Sequence, residues 1–160
     1  MESIKFYTVS DKYIEYLSTY APHLFHNKKA GQAHKRAYIG VILNVNGLDY
    51  FAPLSSYKDK HKRMKETLDF IKVKKYSVIN LNNMFPIQSK DYMYLDFSKV
   101  QDTKYKSLLL SEYRYIKSIQ EKICKNASLV YKMKTSGQMN SLTKRCNDFK
   151  LLEEKCRLYK

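Results

Sequence analysis

Asn46-Gly47 stands between two apolar runs, Ala37 to Val45 and Leu48 to Leu54, and no other stretch restricts the fold of this chain so tightly. Asn-Gly readily adopts the positive φ angles of a two-residue turn, so the flanking runs must pair as an antiparallel hairpin. Ile4 to Val9 reads as a first strand. Phe70 to Val73, Ser77 to Leu81 and Tyr92 to Phe97 are short β-branched or aromatic segments that complete a small antiparallel sheet.

Helical spacing appears elsewhere. Ser10 sits where an N-cap belongs, ahead of Tyr13, Ile14 and Leu17. Residues 58 to 67 read as helical or irregular. From Thr103, apolar residues recur every three or four positions through Tyr105, Leu108, Leu109, Tyr113, Ile116, Ile119 and Ile123, which predicts one long helix. Gly137 interrupts it, and Leu142, Phe149, Leu152, Cys156 and Tyr159 outline a C-terminal helix on the same core. Residues 21 to 36 are basic, aperiodic and contain Pro22 and Gly31, so a long exposed loop is expected. The fold class is therefore α+β, with a helical C-terminal third. A chain of 160 residues with 44% apolar content fills one core, so a single domain over residues 1 to 160 is expected.

Charge then narrows the function. Thirty Lys and Arg against fifteen Asp and Glu leave +15, an excess that disfavours compactness unless a polyanion or wide spacing relieves it. Fifteen Tyr and seven Phe interleave with the lysines, which suits RNA, whose unpaired bases stack on aromatic rings while ammonium groups follow the phosphates. The aromatics are not gathered on one amphipathic helix, and the longest apolar run, Ala37 to Leu43, is far short of a membrane span, so no membrane partner is expected. Cys124, Cys146 and Cys156 are odd in number and lack C-x-x-C spacing, which fits reduced thiols in a cytoplasmic protein without a zinc ribbon.

The chemistry concentrates where the hairpin ends, in Ser55-Ser56-Tyr57-Lys58 followed by Lys60, His61, Lys62 and Arg63. Two adjacent hydroxyls and an ammonium can hold a phosphate and stabilise charge growing on it, while the cations beyond hold the flanking backbone; an ordinary polar hairpin exit is the alternative. RNA supplies its own 2′-hydroxyl nucleophile, so a ribonuclease has only to orient it, move its proton and stabilise the pentacoordinate phosphate. In that reading Lys58 neutralises the developing charge, Ser55 and Ser56 place the phosphate oxygens, and His61 is a candidate proton donor. Lys28, Lys29, Lys35 and Arg36 form a second basic cluster that can complete a groove wall. His23 and His26 have i, i+3 spacing but no carboxylate or thiolate close in sequence, and the aspartates are scattered, so neither a metal nor another cofactor is expected and metal-independent cleavage is preferred. Without a G-x-S-x-G elbow or a phosphate-cradling glycine loop, serine-hydrolase and nucleotide-kinase classes lose support. A non-catalytic RNA-binding protein is the alternative reading, with a DNA-binding regulator behind it.

Several blocks in order resemble one family: Lys5-Phe-Tyr-Thr-Val, Lys12-Tyr-Ile-Glu-Tyr-Leu17, Arg36-Ala-Tyr-Ile-Gly-Val-Ile-Leu43, Tyr50-Phe-Ala-Pro-Leu-Ser-Ser-Tyr-Lys58, Ile79-Asn-Leu-Asn-Asn-Met-Phe-Pro-Ile87, Tyr105-Lys106 and Phe149-Lys-Leu-Leu-Glu-Glu-Lys155. Together they are similar to the ToxN/AbiQ toxins of type III toxin–antitoxin systems, over nearly the whole chain. The resemblance implies a compact, strongly twisted antiparallel sheet like the Kid and MazF core, ringed by helices. It implies an endoribonuclease that cuts messenger RNA without metal, leaving a 2′,3′-cyclic phosphate and a 5′-hydroxyl. It also implies a small pseudoknot antitoxin RNA, cut by the toxin from tandem repeats and bound in a closed protein–RNA hetero-oligomer, with no protein antitoxin. By position, Lys58 matches the catalytic lysine and Ser55 and Ser56 the hydroxyl pair, where relatives often have Thr-Ser. Tyr57 stands where relatives have proline. Tyr7, Tyr115 and His61 are expected to line the RNA site, and Gln32, Lys35 and Arg36 fall in its poorly aligned loop.

Overall fold

Asn46 (φ 51°) and Gly47 (φ 85°) form the tight turn, and the strands beside it, β2 (Tyr38–Val45) and β3 (Leu48–Ser56), pair antiparallel with Val45 opposite Leu48. The computed structural model describes residues 3–25, 27 and 34–160; His26, Lys28, Lys29 and Gln32, all named above, lie outside the described residues. β1 (Lys5–Val9) joins the free edge of β2, and β7 (Tyr92–Tyr94) joins β1. On the other side β5 (Ser77–Asn80) pairs with the end of β3, and β4 (Phe70–Val73) with β5. The order is β4-β5-β3-β2-β1-β7, and every pairing is antiparallel.

β6 (Phe85–Ile87) was not expected. Pro86 has no N–H to donate and reads as a break, but three residues suffice to pair Phe85 with Phe51 and Ile87 with Asp49. The expected strand from Tyr92 to Phe97 ends early, because Asp96 caps a 3-10 turn by accepting from the Ser98 N–H at 3.0 Å.

The helices bury the two faces of the sheet. α1 (Asp11–Ser18) starts as predicted, with Ser10 Oγ accepting from the Tyr13 N–H, and buries Tyr13, Ile14 and Leu17. α2 is the single basic turn Asp59–Arg63. The expected long helix is two, α3 (Thr103–Ser118) and α4 (Gln120–Thr135), broken at Ile119. No Gly or Pro marks that break. Gln120 Oε1 accepts the Ile4 N–H at 3.1 Å and ties the junction to the start of β1. The C-terminal helix is likewise divided into α5 (Ser141–Arg145) and α6 (Phe149–Leu158). Between them Asn147 donates its backbone N–H to Asn82 O and its side-chain amide to Met84 O, so the link is fastened under the sheet.

One core layer holds Phe6, Ile39, Tyr50 and Ala52 against Ile116, Ile123 and Val130 of α3 and α4; the other holds Val9, Tyr38, Phe51 and Phe85 against α1 and α6. The alternation of Tyr50, Phe51 and Ala52 between layers is the strand period. A Cβ at Gly40 would collide with the Phe51 ring, so glycine there lets two strands pack at that point. The expected exposed loop over residues 21 to 36 is corrected in part: Pro22, His23 and Lys35 are exposed, but Ala21, Leu24 and Asn27 are buried. Asn27 donates to Val9 O at 2.7 Å and to Asp11 at 2.8 Å, and so pins this segment against β1 and α1. Among the described residues, no helix is long and apolar enough to cross a membrane.

Candidate active site

β3 carries Ser55 and Ser56 out of the sheet at its edge with β5, where Ser55 lies opposite Val78 and Ser56 opposite Ser77. Apolar residues keep β3 in the core through Leu54, and the exposed turn begins where they stop. Arg36, just before β2, donates from Nη1 to Leu54 O at 2.9 Å and to Ser55 Oγ at 3.4 Å, while its guanidinium lies 4.9 Å from the centre of the Phe25 ring. Asn80 Nδ2 donates to the same Ser55 Oγ at 3.2 Å. Ser55 is thus held from the segment before β2 and from β5 before any ligand arrives. Burial pulls the Arg36 guanidinium pKa down from its ordinary value, yet an arginine remains a cation in a protein.

The turn after Ser56 is closed by a reciprocal pair. His61 Nδ1 accepts the Lys58 N–H at 2.8 Å, and Lys58 O accepts the His61 N–H at 2.9 Å. His61 is buried between Tyr57 and Phe70, with ring centres at 5.7 and 5.6 Å. Burial first, then the charges of Lys60, Lys58 and Lys72, hold its pKa below the usual histidine range. With Nδ1 accepting, the neutral ring carries its proton on Nε2. Lys58 itself is exposed, and its side chain shares a cavity of about 260 Å³ with Arg36, Ser55, Ser56, Lys60, His61, Phe25, Val78 and Asn80. Among the described residues, no carboxylate lines it. Its wall offers cations and hydroxyls, which is a donor set for anionic oxygens.

A second cavity, of about 270 Å³, adjoins the first through Arg36, Ser55 and Ser56. Ala37, Leu54, Leu108 and Leu109 give it an apolar floor, Tyr76 and Tyr105 flank it, and Ser77 and Glu112 are its buried polar groups. Tyr105 is stacked on His34, ring centres 3.9 Å apart and 5° from parallel, and His34 Nε2 lies 3.2 Å from Asp102. Burial pushes the Glu112 carboxyl up to about 6, and the Ser77 hydroxyl beside it opposes that rise.

Of the residues singled out from sequence, Lys58, Ser55, Ser56, Arg36, Lys60 and His61 meet in the first cavity. Tyr57 packs beside His61, and Lys35 lines the second cavity with its ammonium 3.3 Å from Asp11. Four do not join them. Tyr7 faces the core side of β1, stacked 4.7 Å from Phe51. Tyr115 lies one turn beyond Glu112 on α3, in a separate hollow with Lys74, Tyr76 and Arg114. Lys62 is exposed and pairs with Asp59 at 3.4 Å, and exposed Arg63 lines neither cavity. Sequence reasoning gave no role to Asn80, Phe25 or Glu112. The β3–β5 register brings Asn80 to Ser55, and tertiary packing brings in the other two, so no local spacing announces them.

The ordered sequence blocks agree with what comparison finds. The family model for toxin ToxN of type III toxin–antitoxin systems matches residues 5–157. The chain belongs to the ToxN family. It is 33% identical to an endoribonuclease ToxN of Bacillus thuringiensis subsp. kurstaki, over 98% of this chain and 84% of that one. It is also 33% identical to an endoribonuclease ToxN of Pectobacterium atrosepticum, over 96% of this chain and 92% of that one. A solved type III structure described as showing selective toxin inhibition by a non-coding RNA pseudoknot superposes with a TM-score of 0.83 at 31% identity, covering 99% of this chain and 98% of that one. As a ToxN-family protein the chain is an endoribonuclease toxin, which sets aside the non-catalytic and DNA-regulator readings.

Proposed function

We propose that this toxin cuts messenger RNA at the Ser55–Lys58 turn by metal-independent transesterification. The observation that carries the proposal is the convergence of Ser55, Ser56, Lys58, Lys60, Arg36 and His61 on one cavity that no carboxylate lines among the described residues. The substrate 2′-oxygen forms a bond to phosphorus as the bond to the 5′-oxygen breaks; the 2′-hydroxyl loses a proton and the departing 5′-oxygen gains one. The ends are a 2′,3′-cyclic phosphate and a 5′-hydroxyl. Ser55 and Ser56 hydroxyls donate to the non-bridging oxygens, and the Lys58 ammonium balances the extra negative charge of the pentacoordinate phosphate. Arg36 and Lys60 hold the neighbouring phosphates. His61 shapes the turn that presents Lys58 and can offer its Nε2–H to a phosphate oxygen. A folded pseudoknot RNA processed from repeats is the inhibitor we assign, bound in a closed protein–RNA assembly with this wall covered; the structural relative's pseudoknot supports that reading.

The test is digestion of a defined RNA in EDTA by the inhibitor-free protein and by Lys58→Ala, with chemical mapping of the fragment ends. Discrete cuts with cyclic-phosphate ends, reduced at least a hundredfold in the variant, are expected. Cleavage that appears only with added Mg²⁺, or that survives in Lys58→Ala, removes the mechanism.

A further inference from the structure

The second cavity holds two polar side chains that nothing in the cleavage step uses. Glu112 is 4% exposed and Ser77 3%, and both are lining residues. The Ser77 hydroxyl makes no hydrogen bond of normal geometry, and Glu112 has no ion-pair partner among the described residues, although the chain carries +15. A buried carboxylate left unpaired is costly unless a ligand completes it. Lys35 and Arg36 line the same cavity, but a phosphate is repelled at Glu112 itself, so the group that meets this carboxylate must donate hydrogen bonds. Ala37, Leu54, Leu108, Leu109 and the rings of Tyr76 and Tyr105 supply the apolar part of the wall, and His34, Lys35, Arg36, Ser55 and Ser56 supply its polar part. That combination fits a nucleobase: π-face against rings and leucines, polar edge toward the acid. The volume of about 270 Å³ suits one base rather than a larger ligand. Continuity through Arg36, Ser55 and Ser56 places that base on the nucleotide next to the held phosphate.

We propose that this cavity is a base-binding subsite in which Glu112 selects nucleobases bearing an exocyclic amino group, and that it is a specificity determinant of the nuclease. Adenine, cytosine and guanine each present an exocyclic amino N–H that a carboxylate accepts; uracil has none and offers only its N3–H, flanked by two carbonyl oxygens that the carboxylate repels, so it is held more weakly. The proposal rests on the RNA-cleavage reading only for the neighbouring phosphate, since the base pocket is built from its own residues.

The experiment measures binding to a uridine hexamer and to hexamers in which one central uridine is replaced by A, C or G. All are 2′-deoxy at every position so that binding is read without cutting. The wild-type protein is expected to bind at least one amino-bearing hexamer roughly tenfold more tightly than the uridine hexamer, as one good base contact allows. In Glu112→Gln, whose amide both donates and accepts, that ratio is expected to fall within about twofold, with Glu112→Asp between the two. Lys58→Ala, by contrast, weakens all four hexamers alike, because a phosphate contact is blind to the base. Hexamers stand for a substrate strand. The same base exchange in the unpaired 3′ end of a folded repeat RNA stands for an antitoxin strand, and discrimination lost with Glu112→Gln in either arm supports the subsite. Equal binding of all four bases by wild type, or discrimination unchanged in folded Glu112→Gln, overturns it. Base discrimination without any cutting of the all-ribose hexamers would leave the subsite standing and remove the nuclease mechanism instead.

Discussion

At pH 7 the His61 ring is neutral, because burial and the ammonium groups of Lys60 and Lys58 all disfavour a second proton. Its pKa lies lower folded than unfolded, so its contribution is present above about 6.5 and is lost as pH falls through the depressed folded value. Once protonated, Nδ1 can no longer accept the Lys58 N–H. Cleavage should therefore fall on the acid side with the turn, and His61→Ala should lower kcat ten- to a hundredfold at pH 7, with His61→Asn restoring part of it through an amide oxygen. A pH–rate profile for the three proteins checks this. Glu112 runs the other way: its folded pKa, about 6, is above the unfolded carboxyl's 4.5, so its contribution is full below 4.5 and lost as pH rises through 6. Glu112→Gln should unfold at higher urea than wild type at pH 8, by about 2 kcal/mol, and match it at pH 4. Equal urea midpoints at pH 8 would show that the carboxylate is not strained by burial.

At the scale of elements, α5 is tied to the turn before β4 by one ion pair. Arg145 reaches Asp69 with two bonds of 2.6 and 2.7 Å, and Asp69 is 1% exposed. Burial alone would raise the Asp69 pKa, but the bonds from Arg145 and Thr67 outweigh it and the net direction is down. Arg145→Met leaves that carboxylate buried and singly bonded, at a cost of about 2 kcal/mol, less than for a wholly buried pair because the guanidinium is 42% exposed. Equilibrium urea unfolding at pH 7 measures it, and the difference should shrink below pH 4 as Asp69 protonates. Elements with local signals were legible in the sequence: the Asn46-Gly47 turn, the Ser10 cap, and the apolar strands. The break at Ile119 was not, because an apolar residue at helical spacing continues the pattern while the constraint comes from Ile4, 116 positions away. β6 was hidden by Pro86, and the division at Asn147 by bonds to Asn82 and Met84. The residues of the proposed catalytic turn stand out in sequence because they adjoin there; Asn80 and Glu112 reach Ser55 and its two cavities only through strand pairing and helix packing.

For the whole molecule, +15 does not act as one uniform field on a bound strand. Arg36, Lys58 and Lys60 line the first cavity, while Lys62 and Lys35 sit beside Asp59 and Asp11. With three wall cations each neutralising one single-strand phosphate, log affinity for a short RNA should fall with log salt at a slope of about −2. Lys58→Ala should flatten it by about 0.7, whatever the sequence of the strand. Titration at four salt concentrations reads both slopes, and a slope near zero would dismiss the groove. The strand that delivers this turn has another property. β3 is paired to β2, β5 and β6 together, so its amide hydrogens are bonded along most of its length. Such a strand opens only with the whole molecule and should be among the slowest to exchange with deuterium. On the reading proposed above, the cutting site is consequently formed before an RNA inhibitor arrives, and such an inhibitor silences it by occupancy. Toxicity would then return as fast as the RNA leaves or is degraded, with no refolding to wait for.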